Sequence, residues 1–151
     1  MKARGNSLAT PASRLIKACL VLALISAKSQ SDCLALDYQY YRFWFEGQQR
    51  MQEPANQGYV GEQLLMQLRL SNLGQQSLWG IDLDQDLPQN TRLISAQPYE
   101  DLWLSADGDV FHPWPWQQDQ EFKRVRSLRW QINDISPDQE LLFELIFEVL
   151  P

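Results

Sequence analysis

The stretch "LRLSNLGQQSLWGIDLDQDLPQNTRLIS", Leu68 to Ser95, sets the fold class. It alternates apolar and polar residues, breaks at Asn72-Leu73-Gly74, alternates again, and stops at Asp86-Leu87-Pro88. Period-two alternation marks half-buried strands, not helices. Asn72 and Gly74 tolerate positive φ, which a tight strand connection needs. Pro88 has no N–H to give to a ladder, so it ends a strand at a sheet edge. Within the second strand Trp79, Ile81 and Leu83 alternate with Gly80, Asp82 and Asp84, and the first set is expected to face inward.

The same period recurs outward from this stretch. "LDYQYYRFWFEG", Leu36 to Gly47, reads as a first strand, and "RMQEPANQGYVG", Arg50 to Gly61, as a polar loop. "EQLLMQLRLSN" places Leu64, Met66, Leu68 and Leu70 on one face. "TRLISAQPY" is a further short strand. "LWLSADGDVFHPW" reads as a hairpin around Asp107-Gly108, a two-residue turn signal. Leu128, Trp130 and Ile132 share a face, and "ELLFELIFEVLP" puts Leu141, Phe143, Leu145, Phe147 and Val149 on one side of a last strand. About seven short strands in one chain, without an internal repeat, predict an all-β, antiparallel, immunoglobulin-like sandwich. Trp130 is expected to fill the gap between two sheets about 10 Å apart.

The N-terminus reads as a signal peptide helix. Lys2, Arg4, Arg14 and Lys17 precede or open the apolar run "ACLVLALISA", Ala18 to Ala27. That run is too short for the roughly 20 apolar residues of a membrane span. Cleavage is expected after Ala35, or alternatively after Ala27, so residues 1–35 form the leader and 36–151 the domain. No stable membrane span is expected in the mature chain. The chain has two cysteines, Cys19 and Cys33, and neither a disulfide framework nor a zinc pattern follows from them.

Of the 13 Lys and Arg, five lie in residues 1–35, and of the 19 Asp and Glu, one does. Residues 36–151 therefore carry 8 basic and 18 acidic side chains, a net charge of −10. Nucleic acid is excluded as a partner on that balance. All 17 aromatic residues also fall there, which is no composition for a disordered segment.

Asp82, Asp84 and Asp86, two apart, invite a calcium reading, and Asp107 and Asp109 would add to it if near. A calcium loop of this spacing needs Gly at its sixth position, and Leu87 stands there. Asp82 and Asp84 are instead expected on a solvated outer face, with Asp86 at a strand-end turn. No cofactor is expected. His112 is the single histidine, and no nucleophile-elbow motif accompanies it, so no catalytic site and no enzyme are expected. Lys123, Arg124, Arg126 and Arg129 read as internal charge balance. Trp103, Phe111, His112, Trp114 and Trp116, braced by Pro113 and Pro115, are the candidate binding residues. Exposed rings on a rigid loop stack on sugars or grip a protein.

Asn72, Gly74, Asp86, Leu87 and Pro88, followed by "LRWQINDISPDQELLFELIFEV" with Trp130, Ile135, Pro137 and Phe143 to Val149, resemble the conserved repeat domain of bacterial surface proteins. That is an immunoglobulin-like domain of unknown function. The resemblance covers roughly Glu62 to Leu150. It departs in the Trp-rich segment from Tyr99 to Arg124, and in the single copy carried here where tandem copies are usual. It implies an exported, periplasmic, cell-surface or extracellular module of the envelope, binding or structural, acting through contacts with an envelope protein. The alternative is a carbohydrate-binding module that uses its Trp residues on a glycan.

Overall fold

The computed structural model describes residues 16–17, 34–115 and 124–151. The apolar run Ala18 to Ala27 of the expected leader helix, both cysteines, Trp116 and Lys123 lie outside them. The strands are β1 (Ile16–Lys17), β2 (Leu34–Glu46), β3 (Gln49–Pro54), β4 (Gln63–Asn72), β5 (Leu78–Asp86), β6 (Thr91–Gln97), β7 (Leu102–Ser105), β8 (His112–Pro113), β9 (Ser127–Ile135) and β10 (Glu140–Val149). The described chain is all-β, with two antiparallel sheets, as a β-sandwich has. The larger sheet runs β1-β2-β4-β10-β6, with β3 on the C-terminal part of β2. The smaller runs β5-β9-β7-β8.

Alternation builds the core. Leu64, Met66, Leu68 and Leu70 of β4 are buried beside Phe143, Leu145, Phe147 and Val149 of β10. The register pairs Phe143 with Leu68, Leu145 with Met66 and Phe147 with Leu64, so both strands present the same face. Ile81 and Leu83 of β5, Leu102 and Leu104 of β7, and Leu128, Trp130 and Ile132 of β9 join the same cluster from the smaller sheet. Each large side chain so buried contributes about 1.5–3 kcal/mol. Trp130 bridges the layers as expected. Its ring lies 5.0 Å from that of Phe143, and its indole N–H donates to the Pro98 carbonyl at 2.9 Å.

The punctuation works, by a different device at Asn72. Neither Asn72 nor Gly74 adopts positive φ. Asn72 is fully buried, and its amide donates to the carbonyls of Gln76 (2.7 Å) and Ile135 (3.0 Å) while accepting from the Gly74 N–H (2.9 Å). One side chain thus closes the turn and ties the end of β4 in one sheet to the end of β9 in the other. Asp86-Leu87-Pro88 ends the edge strand β5, and the Pro88 carbonyl accepts from Thr91 Oγ1 at 2.6 Å.

Three sequence expectations are corrected. Residues 49–54 are not loop but β3, a polar strand paired with β2. Trp79 does not face inward; it is 72% exposed. Gly80 sits at φ +65° and breaks the alternation, so Leu78 and Ile81 pack on the core and Trp79 turns out. The connection around Asp107-Gly108 is no two-residue turn, because the β7–β8 hairpin closes over residues 106–111.

Strand order also has a distinct feature. Without β3 and the two-residue strands, the sheets are β2-β4-β10-β6 and β5-β9-β7. In immunoglobulin domains the sixth and seventh strands are neighbours in one sheet. Here β9 and β10 lie in opposite sheets.

Candidate functional site

The outer face of the smaller sheet gathers residues that the sequence presents as three unrelated groups. Strand pairing sets Asp84 of β5 opposite Arg129 of β9, Arg129 opposite Trp103 of β7, and Trp103 opposite Pro113 of β8. The result is one row across the sheet: carboxylate, guanidinium, indole, proline. Asp82 stands opposite Gln131 in the next row.

Arg129 is the centre of this face. It donates to both Asp84 oxygens, each at 2.7 Å, and lies 4.0 Å from Asp82. Its guanidinium carbon sits 4.1 Å from the centroid of the Phe111 ring. The hydrogen bonds to Asp84 push the guanidinium further above its already high range. Asp84 is half-exposed, so the ion pair adds about 0–1 kcal/mol to stability. The ring contact adds about 0.5–1 kcal/mol. These interactions do little for stability, and their main effect is to hold an aromatic and charged surface in one arrangement.

The hairpin loop fixes the approach to Phe111. Asp107 Oδ1 accepts from Ser105 Oγ at 3.0 Å and from the N–H groups of Asp109 and Val110, each at 2.9 Å. Those bonds lower its carboxyl to about 2. Gly108, at φ +86°, completes the turn.

The predicted aromatic cluster splits between two faces. Strand period and pairing put Phe111 with Trp103 and Pro113 on the outer face. His112 pairs with Leu104 and Trp114 packs on the core, both on the inner side of the edge. Trp114 also stacks on Tyr99, with centroids 5.4 Å apart and ring planes at 16°. Of the two rings, Tyr99 is the exposed one and Trp114 is partly buried.

The aspartates also divide. Asp82 and Asp84 serve Arg129, while Asp86 accepts from Ser127 Oγ at 2.5 Å at the strand end. Asp86, Asp107, Asp109 and Arg126 line a groove of about 530 Å³ beside Leu87 and Pro88. Among the described residues no three carboxylate, histidine or cysteine side chains come together as metal ligands.

Arg129 is the residue that sequence reasoning undervalued by grouping it with its basic neighbours. Its position between Leu128 and Trp130, both inward, already placed it outward in line with Asp82 and Asp84. Trp44 and Phe45, exposed on the β2–β3 hairpin, carried no such signal. No family model, curated protein or solved structure matches the chain.

Proposed function

We propose that the chain is an exported, non-catalytic binding module of the cell envelope, which grips a partner protein through the outer face of its smaller sheet. The row Asp84–Arg129–Trp103–Pro113, with Phe111 against the guanidinium, carries this reading. Trp and Arg dominate the centres of protein interfaces, and acidic residues suit their rims. The rings and the guanidinium are ordered in advance, so little freedom is lost on docking. Export rests on the basic start and the apolar run from Ala18 to Ala27. Membership of the surface-protein repeat family rests on the turn motifs, with the last strand placed differently from an immunoglobulin domain.

The test is site-specific photo-crosslinking from Gln131, which borders the row, in intact cells. A discrete adduct is expected with the wild-type face and its loss with Arg129→Ala and with Trp103→Ala. Adducts that ignore both substitutions would remove the proposal. The glycan reading has one observation of its own, the rigid Tyr99 ring backed by Trp114. Under it, Tyr99→Ala abolishes binding on a glycan array while Arg129→Ala leaves it intact.

A further inference from the structure

The larger sheet has a polar site of its own. Asp37 and Gln39 of β2 and Gln67 and Arg69 of β4 share its outer face and, with Tyr41, line a pocket of about 190 Å³. Gln67 is only 6% exposed. Its amide nitrogen donates to Glu144 Oε1 at 2.8 Å. A carboxylate only accepts, so this bond fixes the amide's orientation and leaves the Gln67 oxygen as the group to be satisfied. That oxygen is buried without a hydrogen-bond donor, and so is Asp37 Oδ1. Buried acceptors are normally paired. Two unpaired ones, on two residues that line the same pocket, call for a donor.

The chemistry of the lining narrows the donor. An anion would meet the Gln67 oxygen and the Asp37 carboxylate. Calcium takes about 6–8 oxygens, commonly several of them charged, and this pocket has one carboxylate. Arg69 does not serve, because its guanidinium leans toward Glu140 of β10 (3.9 Å), away from β2. An alkylammonium brings three N–H donors and a charge matched to Asp37. The net charge of −10 on residues 36–151 draws such cations in.

We propose that this pocket binds a primary alkylammonium group, supplied by a lysine side chain of a partner or by a free polyamine. The site is separate from the face around Arg129, so either can fail alone.

The test is titration of the purified full chain with Nα-acetyl-lysine methylamide and with putrescine, followed by the Gln67 side-chain amide signal in NMR. The norleucine analogue is the uncharged control. Saturable binding is expected for the amines and none for the control. Asp37→Asn keeps the shape and should weaken binding about tenfold by removing the charge-assisted bond. Arg69→Gln keeps Asp37 and should tighten it by removing a like charge. Tighter binding of the lysine compound assigns the site to a partner's lysine, and of putrescine to a polyamine. No saturable binding, equal binding of the control, or indifference to Asp37→Asn overturns the proposal.

Discussion

Arg50 of β3 donates two hydrogen bonds to Glu144 of β10, at 2.7 and 3.0 Å. A flat sheet would not allow it. Going from β3 through β2 and β4 to β10 takes three strand steps, about 14 Å, and Arg50 is offset from Glu144 by six residues along β2, roughly 20 Å. The β2–β3 hairpin must therefore fold back over the outer face of β4 and β10. The outward-pointing Leu65 is accordingly 0% exposed, and Trp44 and Phe45 stand on the far side of the hairpin in solvent.

That ion pair makes stability depend on pH. Hydrogen bonding from Arg50, opposed by burial and aided by Gln67, holds the Glu144 carboxyl below its ordinary value. A depressed carboxyl contributes stability above the unfolded-state pKa, near 4.5, and loses it as pH falls through the folded value. Glu144→Gln should cost about 1–2 kcal/mol at pH 7, a magnitude for charge-assisted bonds discounted for partial exposure. Urea unfolding of both proteins at pH 7 and pH 3 checks this, and the difference should shrink at pH 3.

Asn72 gives a prediction of opposite sign. Its amide donates to two carbonyls in a fully buried site. In Asn72→Asp, a carboxylate would face both oxygens, and the destabilisation should reach about 2–4 kcal/mol at neutral pH. Burial raises that carboxyl above its unfolded value, so the variant's deficit should lessen as the pH is lowered. Asn72→Ala, uncharged, should lose stability without this pH dependence. Denaturation midpoints across pH 4 to 8 separate the two.

The fold was legible wherever one face of a strand is buried and the other wet. Leu64 to Leu70, Leu128 to Ile132 and Phe143 to Val149 announce themselves by period two, and each lies as read. β3 did not, because "QRMQEP" contributes nothing to the main core and keeps no apolar face. Trp79 misled because the period argument assumes extended backbone throughout, and Gly80 departs from it. At the candidate site, Trp103, Asp82 and Asp84 could each be placed outward by period alone. Their union through Arg129 depends on strand neighbours, and β5, β9 and β7 are not consecutive in the chain.

Gly80 tests that reading of Trp79. A Cβ at Gly80 meets no atom within 4 Å, so the cost of substitution is conformational, not steric. Gly80→Ala should destabilise by about 1–2 kcal/mol through the left-handed backbone. Gly80→Asn should cost clearly less, since Asn visits that region more readily. Equal losses in urea unfolding would place the cause elsewhere.

The start of β2 bears on where an exported chain begins. Leu34 and Ala35 are 2% and 4% exposed, and they pair with Asn72 and Ser71 of β4. Cleavage after Ala35 removes both, together with the ladder beside the buried Asn72. Cleavage after Ala27 keeps them. Burial of one leucine is worth about 1.5–3 kcal/mol, and the ladder bonds add to it. A chain beginning at Leu36 should therefore be about 2–4 kcal/mol less stable than one beginning at Leu34. Urea unfolding of the two chains measures this directly. Under the proposed export, the intact mass of the mature protein should place its first residue at or upstream of Leu34, and a first residue at Leu36 in a protein of undiminished stability would refute the argument.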